Sequence, residues 1–509
     1  MAETYLVGVD IGTQGTKAVL LHVDGRVMAD AFEASDIHED SKGAITEDPE
    51  RQVSSVVNTI KECMTKSKVD PSTVAGVGID GQMAGITAID KSGVNCIPYD
   101  SWLDTRCSPY IDEMHREAGD EVLRKTGTRP RPKHGPKIRW YKNEHTQDLK
   151  RKHQFIQPGS YAAMRLCGLP GDEGYIDGTY LHFSGFADNA NSRWDEAICN
   201  TFGVPREKLP NIRKPTDRIG AITREMAERS GLLEGTPVAA GCGDTAASFL
   251  SSGAYAEGNT VDVAGTASVV ASTTTEFRPD TRSKVLGVGQ STIPGLWHPY
   301  AYINGGGLNL EWFKSLVNEQ RDTKLDFEDL EKLAEKVPIR PSSPIFVPHM
   351  SGRVMPSDAA MRGTWFGLTR DLGVGALYAS ILEGVALEYR LYVDALRALY
   401  PDVGFDEMRV TGGGETSPFW NQLKATACSI SVTRVVGSRG APMGSAIVAG
   451  CAAGVWEDPK EPAKEWLSFE SAAQPESEKR GLYETRFENY ISSLNFASEY
   501  ALRMGKEEK

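Results

Sequence analysis

The sequence lacks the segments that mark membrane and secreted proteins. No run of apolar residues among its 509 positions approaches the roughly 18 that a membrane-spanning helix needs. Eight cysteines are scattered from Cys63 to Cys451 without a CxxC pair, and a chain of this length needs no disulfide framework. The opening residues, MAETYLVGVD, lack the basic segment of a signal peptide. We therefore expect free thiols, a reducing compartment, a cytoplasmic location and no membrane partner.

Positive charge is also scarce. The chain carries 56 Lys and Arg residues against 69 Asp and Glu residues, which gives a formal net charge of −13. Proteins that bind nucleic acid instead concentrate Lys and Arg, so no nucleic-acid partner is expected. An anionic substrate would have to be held by local cations and backbone amides against this negative background.

Several common catalytic and cofactor motifs are missing. There is no GxxxxGK[ST] phosphate loop, and no convincing GxGxxG follows a strand with an acidic residue about 20 positions later. No GxSxG nucleophile elbow occurs, and the nine histidines show no zinc-ligand spacing. These absences argue against a P-loop enzyme, a dinucleotide-dependent enzyme, an α/β-hydrolase and a zinc protein.

The pattern that is present predicts an α/β protein with two domains. Segments rich in Val, Ile and Ala alternate with turns over the first ~90 residues, and helices are expected to cover the resulting sheet. A chain of this length is expected to form about two large domains. Residues 259–274, NTVDVAGTASVVASTT, repeat the opening order of strand, Gly-Thr turn and strand. We predict an N-terminal domain over residues 1–250 and a C-terminal domain over residues 251–509.

Three further segments carry structural predictions. A helix is predicted to follow Asp48 as its N-cap, with Pro49 in the first turn. Residues 457–478 are interpreted as a surface connection, and a closing amphipathic helix is expected after them. The basic stretch RPRPKHG, residues 129–135, is interpreted as a solvated loop. A second possibility is a basic rim of a cleft that contacts an anionic substrate.

Four glycine-centred turns follow hydrophobic runs. Each offers exposed amides, small side chains and hydroxyl groups, which phosphates and nucleotides require, although such turns are often merely structural. Two of these turns, one from each predicted domain, could together bind the phosphates of a nucleotide. The turns are DIGTQGTK (10–17), AGTASV (264–269), NGGGLN (304–309) and TGGGETSPFW (411–420).

Two aspartates stand beside glycine turns where strands are predicted to end. Asp244 follows Gly-Cys-Gly, and we interpret it as a general base that accepts the proton of an attacking hydroxyl. A purely structural role for Asp244 would be that of a helix N-cap. Asp10 is the candidate Mg²⁺ ligand, since Mg²⁺ takes few protein carboxylates and retains much of its water.

Nine short segments together resemble the FGGY family of carbohydrate kinases. They follow that family's order from residue 5 to about residue 455. The resemblance implies two actin-like (ribonuclease H-like) ATPase domains that flank a deep catalytic cleft, with ATP and Mg²⁺ as cofactors and a sugar or polyol as substrate. The segments are GVDIGTQGTK, GQMAG, WLDTR, GPKIRWYKN, GCGDTAAS, AGTAS, EGVALEYRLYVDAL, TGGGETSPFWNQ and GAPMGSAIVAG.

The resemblance also implies roles for individual residues. Asp10 matches the metal-associated aspartate, and Asp244 matches the catalytic base that also faces the sugar. Met83, Asp104 and Arg106 match positions that line the sugar site. Gln82 is added as a further hydrogen-bonding group for a polyhydroxylated substrate. The positions implied for ATP are Gly12, Thr13, Gln14, Lys17, Gly265, Thr266, Gly306, Gly307, Gly413, Gly414 and Ser417.

Within this family the segments look most like xylulose kinases, so a ketopentose such as xylulose is the expected substrate. Ala84 stands where the xylulose-kinase pattern has histidine, and Leu103 stands where it has asparagine. Because a lost polar contact can change selectivity, ribulose, erythritol or a glycerol-like polyol stays open as the substrate. Two rival functions also stay open: an actin-fold ATPase switch, and a sugar-binding regulator without catalysis. The family also allows a homodimer.

Overall fold

The computed structural model describes residues 3–145, 152–265 and 267–507. Its first half runs to Ser251 and its second half begins at Thr260, and each half is built around a seven-stranded sheet. Glycines stand among the apolar residues of the central strands, where the covering helices approach the sheet closely.

The first half contains sixteen strands and eight α-helices in the described ranges. The strands are β1 (Tyr5–Ile11), β2 (Gly15–His22), β3 (Val27–Ala34), β4 (His38–Glu39), β5 (Ile45–Glu47), β6 (Val74–Gly81), β7 (Ile86–Ile89), β8 (Asn95–Asp100), β9 (Gln154–Ile156), β10 (Tyr175–Asp177), β11 (Ala187–Asp188), β12 (Arg193–Trp194), β13 (Asn211–Arg213), β14 (Arg218–Ala221), β15 (Pro237–Ala239) and β16 (Cys242–Gly243). The helices are α1 (Pro49–Ser67), α2 (Ser108–Thr126), α3 (His134–Glu144), α4 (Pro158–Cys167), α5 (Leu181–Ser184), α6 (Glu196–Thr201), α7 (Arg224–Ser230) and α8 (Asp244–Ser251).

The second half contains nine strands and seven α-helices in the described ranges. The strands are β17 (Thr260–Ala264), β18 (Ser268–Ser272), β19 (Gly287–Gln290), β20 (Trp297–Ile303), β21 (Ile345–Val347), β22 (Thr364–Phe366), β23 (Glu407–Gly412), β24 (Ser431–Val436) and β25 (Ser468–Ala473). The helices are α9 (Gly306–Asn318), α10 (Phe327–Glu335), α11 (Val374–Leu399), α12 (Pro418–Cys428), α13 (Ala441–Ala452), α14 (Lys460–Trp466) and α15 (Arg480–Glu507).

The two large sheets share one local arrangement. The strand order is β14-β15-β6-β1-β2-β3 in the first, with β16 also on β6, and β19-β20-β18-β17-β23-β24-β25 in the second. In each, a hairpin (β1–β2 or β17–β18) has a parallel strand, β6 or β23, beside its first member. The strand–turn–strand repeat seen in the sequence is therefore a repeat of hairpin and parallel neighbour. A separate five-stranded sheet, β4-β5-β8-β7-β9, extends the first half.

Helix α13 belongs to the second half by sequence but packs against the sheet of the first half. It lies directly on β1 and β6, where glycines replace side chains. A Cβ built on Gly8 would lie 1.8 Å from the Pro442 carbonyl oxygen, and one on Gly78 would lie 2.1 Å from that of Ser445. The two halves therefore share a helix–sheet core.

The local predictions meet mixed outcomes. The helix after Asp48 is confirmed as α1, and the Asp48 side chain accepts a hydrogen bond from the Glu50 amide at 2.9 Å. The closing helix is confirmed as α15. The surface connection over residues 457–478 is wrong, because this segment forms α14 and the edge strand β25, and Trp466 is buried within it.

All eight cysteines are thiols rather than disulfides, as expected. Within the part of the chain that the structure describes, no helix is both long and apolar enough to cross a membrane.

Candidate active site

Asp10 lies near the end of β1, immediately before a tight hairpin. Gly12 and Gly15 exchange backbone hydrogen bonds of 3.1 and 3.3 Å across this turn. A Cβ on Gly15 would lie 2.3 Å from the Glu33 carbonyl oxygen, so the turn accepts no side chain there. One carboxylate oxygen of Asp10, Oδ1, is buried and has no hydrogen-bond partner among the described residues. The hairpin thus holds a carboxylate with one oxygen available to a ligand.

A second carboxyl group lies beside Asp10. Asp80 is the register partner of Asp10 on β6, and it is fully buried. Its Oδ2 accepts a hydrogen bond of 2.6 Å from the Ser445 hydroxyl on α13. Burial and the neighbouring Asp10 charge raise the pKa of Asp80 well above its usual range. Burial also raises the pKa of Asp10, while a hydrogen bond with Asp80 and the charge of Lys17 act in the opposite direction. Burial beside another carboxyl group therefore disfavours the ionised form of Asp80, while the charge of Lys17 favours the ionised form of Asp10.

Asp244 is the first residue of α8, and the N-cap position belongs to Gly243. A role as N-cap is therefore excluded. The Asp244 carboxylate instead accepts a hydrogen bond of 2.9 Å from the Thr245 hydroxyl and another from the Thr245 amide. Burial, and next the charge of Asp10, raise the pKa of Asp244 to about 7. A carboxylate with this pKa can take up a proton near neutral pH.

A cavity of about 280 Å³ brings these groups together. Asp10 and Asp244 both line it, along with Gly12 and Lys17 from the first hairpin. The second half contributes Val263 and Val269 from β17 and β18, and the segment 439–442 at the start of α13. The two aspartates proposed from sequence thus face one space between the two halves.

A larger cavity of about 980 Å³ lies wholly in the second half. Its apolar walls come from Leu310, Tyr378 and Trp420, and they can accept a flat ring system. Its polar end is formed by three glycine turns that were predicted from sequence. The predicted ATP residues that line it are Gly265, Gly307, Gly413, Gly414 and Ser417.

Of the remaining predicted ATP residues, Gly12 and Lys17 line the smaller cavity. Gly306 begins α9, and a Cβ on it would clash with the Ser268 side chain at 1.8 Å. Thr13 accepts a hydrogen bond of 2.8 Å from the Trp102 indole nitrogen. Gln14 is exposed at the tip of the first hairpin. Thr266 lies outside the described residues.

Two predicted sugar residues lie just beyond β6. The Gln82 side chain donates to Glu47 Oε1 at 2.9 Å, and its own Oε1 has no partner among the described residues. The Met83 side chain would lie 2.6 to 2.9 Å from a Cβ on Gly243, so it packs directly against the residue before Asp244. The Met83 side chain therefore adjoins the segment that carries the candidate base.

The other two predicted sugar residues form a pair with each other. The Arg106 Nε atom donates to Asp104 Oδ2 at 2.7 Å, and the guanidinium stacks 4.5 Å from the centre of the Trp140 ring. Asp104 is buried and also accepts the Ile45 amide. Asp104 therefore holds the Arg106 side chain in place. Arg106 is partly exposed, so the N–H groups of the guanidinium that Asp104 does not bind are open to a ligand.

The basic segment 129–135 is not a solvated loop. Arg131, Lys133 and His134 are each less than a tenth exposed, so that prediction is wrong. The segment leads into α3 and is buried between α2 and the β19–β20 hairpin of the second half. Just before it, the Val288 amide of β19 donates a hydrogen bond to the Gly127 carbonyl oxygen at 3.0 Å. Its interpretation as part of a cleft stays a prediction.

Three neighbours of the site were not identified from the sequence. Glu47 orients Gln82, Arg439 lines the 280 Å³ cavity opposite Lys17, and the Tyr180 hydroxyl donates to the Gly81 carbonyl oxygen at 2.8 Å. None stands in a recognisable motif, because each reaches the site from a distant part of the chain. The one local signal is that Arg439 directly precedes the segment GAPMGSAIVAG.

The residues around Asp10 are suited to Mg²⁺. The available buried Asp10 oxygen and the Asp244 carboxylate face the same cavity, and oxygen is the ligand type that Mg²⁺ prefers. Within the described ranges no group of three or more His, Cys, Asp or Glu side chains forms a metal cage. These residues can supply one or two carboxylate ligands, and water and nucleotide phosphate would complete the coordination of the ion.

Comparison with known proteins covers nearly the whole chain. The model of the FGGY family of carbohydrate kinases, N-terminal domain, matches residues 5–251, and that of the C-terminal domain matches residues 261–453. A xylulose kinase of Bacillus subtilis is 26% identical over 493 residues, covering 96% of each chain. A glycerol kinase of Leifsonia xyli is 26% identical over 486 residues, covering 92% of each. The crystal structure of a gluconate kinase from Lactobacillus acidophilus superposes with a TM-score of 0.89 at 21% identity, covering 99% of this chain and 100% of that one.

Proposed function

The chain belongs to the FGGY family of carbohydrate kinases, and from this premise we propose that it transfers the γ-phosphoryl group of Mg-ATP to a hydroxyl of a ketopentose such as xylulose. The enzyme is an ATP-dependent sugar kinase, and its two halves have the actin-like fold expected from the sequence. The substrate and the roles of individual residues are proposals.

One observation carries the proposal: two aspartates from separate elements of the first half face one cavity at the boundary with the second half. Asp244 has a pKa of about 7, so a fraction is ionised at neutral pH and can accept the hydroxyl proton as the sugar oxygen attacks phosphorus. Burial raises the pKa of Asp10, while a hydrogen bond with Asp80 and the charge of Lys17 favour its ionised form. When bound, Mg²⁺ would neutralise charge on the phosphate groups. We assign its protein ligand to Asp10.

The glycine turns hold the nucleotide in this proposal. The turns at 265, 307 and 413–417 surround the polar end of the 980 Å³ cavity, where backbone amides can bind phosphate and ribose. The hairpin at 12–17 lies on the opposite side of the boundary between the halves. ATP bound by both turns would align the phosphoryl group with the sugar and exclude water.

We propose the domain division that the sequence indicates, residues 1–250 and 251–509. The first domain then carries the sugar site, the first phosphate hairpin and the base. The second carries the adenosine cavity. Closure of the two over the substrates would limit wasteful ATP hydrolysis. A homodimeric assembly and a cytoplasmic location remain predictions from the sequence.

A ketopentose is the first candidate substrate because a relative of similar length carries the name xylulose kinase. Other relatives are named for glycerol and gluconate, so ribulose, erythritol and glycerol-like polyols belong in the test. Ala84 and Leu103 lack the polar side chains of the xylulose-kinase pattern, and we expect selectivity to differ from that of xylulose kinases.

The proposal is tested by ADP release with Mg-ATP across ketopentoses, ketohexoses, tetritols, pentitols, aldonates and glycerol. A sugar-dependent rate with one ADP per sugar phosphate is expected. Asp244→Asn should lower kcat by about a hundredfold or more, in the range for a general base, while ATP binding persists. The matched control is Asp322→Asn at an exposed position, which should behave as wild type.

Two results would contradict the proposal. ADP release that is independent of every sugar would identify an actin-fold ATPase switch. An Asp244→Asn enzyme with nearly normal transfer would remove the base from this residue.

A further inference from the structure

Two cationic side chains are buried at the start of α3, and the described residues give neither of them an acidic partner. Arg131 is 6% exposed and Lys133 is 5% exposed. The Nε and Nη1 atoms of Arg131 have no hydrogen-bond partner among the described residues. No described carboxylate forms an ion pair with either side chain, and the pKa of Lys133 is well below its usual value because of burial and, next, the charge of Arg131. The two positive charges repel each other, and the burial of each one lowers the stability of the fold.

The immediate surroundings of these cations are aromatic and hydroxylic. The Lys133 ammonium lies 3.4 Å from the centre of the Phe183 ring. From the second half, β20 supplies Tyr300 and Tyr302. Burial raises the pKa of Tyr302, while the Arg131 charge and a hydrogen bond with Arg131 act in the opposite direction. The Tyr300 hydroxyl is buried without a partner among the described residues. The cluster therefore offers several unused hydrogen-bond donors and no described acidic acceptor.

The cluster also includes the start of a helix. Lys133 is the N-cap of the eleven-residue α3, its side chain makes no capping bond, and the first turn contains no acidic residue. The positive end of the helix dipole therefore adds to the two side-chain charges. A buried cation without an acidic partner destabilises the folded protein. A bound anion would offset this unfavourable free energy.

Two residues, His134 and Met83, connect this cluster to the segment of the candidate base. His134 follows Lys133, and its Nε2 donates to the Met83 carbonyl oxygen at 2.6 Å. The Met83 side chain packs against Gly243, the residue before Asp244. The His134 ring also lies 6.0 Å from the ring of Tyr180, whose pKa is raised by burial and in part by the charges of Asp177 and Asp244. A sugar that presents one hydroxyl to Asp244 could therefore extend its far end toward Arg131 and Lys133.

We propose that Arg131 and Lys133 form a subsite for an anionic group at the end of the sugar remote from the phosphorylated hydroxyl. The preferred substrate is then a sugar that also carries a carboxylate or phosphate group, which narrows the ketose or polyol proposed above to its anionic derivatives. The subsite rests on the proposed function for its role in catalysis, because it refines the substrate of the same transfer. The anionic group itself does not react: the γ-phosphoryl group moves to the hydroxyl oxygen, and ADP leaves.

The first experiment compares kcat/KM for matched acidic and neutral sugars. Five- and six-carbon aldonates are compared with the alditols of the same configuration, and sugar phosphates with the free sugars. At least one acidic member should exceed its neutral partner by about tenfold or more, the usual range for hydrogen bonds to charged groups. In Arg131→Met and Lys133→Met this ratio should fall about tenfold, mainly through KM. Lys91→Met, at an exposed position of the same half, is the matched control and should keep the wild-type ratio.

A second measurement does not depend on turnover. Thermal unfolding of Lys133→Met without ligand should occur above the wild-type temperature, because an unpaired buried charge has been removed. The same acidic sugar, without ATP, should raise the unfolding temperature of the wild type and the Lys91→Met control but not of Lys133→Met. A purely structural role for Lys133 on the Phe183 ring predicts the reverse, a less stable variant with unchanged ligand response.

The outcomes separate the two proposals. Phosphorylation of neutral sugars with no acidic preference, and no stabilisation by acids, would overturn the subsite and leave the proposed function intact. Stabilisation by an acid that requires Lys133, with no transfer to any sugar, would support the subsite and contradict the proposed function. A preference for aldonates identifies the anion as a carboxylate, and a preference for sugar phosphates identifies it as a phosphate ester.

Discussion

The same side chain, aspartate, has three different environments within the active-site region. Asp80 is buried next to another carboxyl group, and its pKa is raised well above the ordinary value. Burial raises the pKa of Asp10, and the hydrogen bond with Asp80 and the charge of Lys17 act in the opposite direction. Asp244 is affected by burial and by the Asp10 charge, which raise its pKa to about 7. The neighbours of each aspartate therefore determine its pKa, although all three residues are of one type.

Glu388 on α11 shows the opposite shift. Burial alone would raise its pKa, but Arg353 at 3.0 Å, His349 at 3.4 Å and the Tyr490 hydroxyl at 2.6 Å lower it to about 2. A lowered carboxylate pKa stabilises the fold above the unfolded-state value of about 4.5, and this stability is lost as the pH falls toward 2.

Glu388→Gln should therefore lower the free energy of unfolding by roughly 3 kcal/mol at pH 7, following the size of the shift. The deficit should shrink between pH 4.5 and pH 2. Urea unfolding of both proteins at pH 7 and pH 3 measures the change. Glu488→Gln, an exposed position on α15, is the control and should differ little from the wild type at either pH. A deficit that is equal at both pH values would show that the ion pair is not its cause.

At the scale of single residues, the sequence predicted the positions that stand beside glycine turns. Asp10 and Asp244 were predicted from their place after short apolar strands, and the structure brings both to one cavity. Their chemical roles stay predictions. Arg131 and Lys133 were misjudged as solvated, because charge in a Pro-rich stretch usually indicates exposure. Their burial depends in part on β19 and β20, which are distant in sequence.

At the scale of elements, the close approach of α13 to β1 and β6 depends on glycine. The Ser445 carbonyl oxygen lies where a Cβ on Gly78 would be, at 2.1 Å. Backbone cannot rotate away as a side chain can, so the helix would have to move off the sheet.

Gly78→Ala should therefore destabilise the protein by roughly 1–3 kcal/mol or more. It should also weaken catalysis, because the start of α13 lines the cavity that contains Asp10. Denaturant unfolding and ADP release measure the two effects. Gly481→Ala lies in α15 with nothing within 4 Å of the new Cβ, so this control should leave activity unchanged and stabilise the helix slightly. Equal stability of Gly78→Ala and wild type would mean that α13 is not tightly packed there.

Local signals predicted some elements and not others. The start of α1 carried its own N-cap and proline, so it was found from sequence. The segment 457–478 contains Pro, Glu and Lys at a density typical of loops, yet it forms α14 and β25. Its order comes from Trp466, whose indole nitrogen donates to the Val23 carbonyl oxygen at 3.1 Å and whose ring covers Gly25. A contact across 443 positions leaves no periodic pattern nearby.

At the scale of the whole molecule, the two halves are joined by more than the connection between α8 and β17. Helix α13 buries small apolar residues against β1 and β6 and also packs on α8. The hydrogen bond from Ser445 to Asp80 links the same helix to the carboxyl group behind Asp10. Sequence resemblance predicted two domains and a cleft. It did not predict this shared core, which requires the positions of both halves at once.

Thermal unfolding should therefore be a single cooperative transition despite the two domains. The first half loses the cover of its sheet when α13 leaves, so neither half retains a complete core alone. Differential scanning calorimetry should give a calorimetric enthalpy close to the van't Hoff value. Addition of a non-hydrolysable ATP analogue should shift the whole transition upward by mass action. Two resolved peaks, only one of which responds to nucleotide, would contradict this prediction.

The position of α13 also bears on biosynthesis. A ribosome makes the chain from its first residue, and the sheet of the first half is complete in sequence once β16 has been made at Gly243. Almost 200 further residues must be translated before Ala441–Ala452 emerge to cover β1 and β6. During that interval the glycine-lined face of the nascent sheet stays open to chaperones and to other nascent chains. Final folding of the first half therefore waits for the second, and the active site appears only near the end of translation.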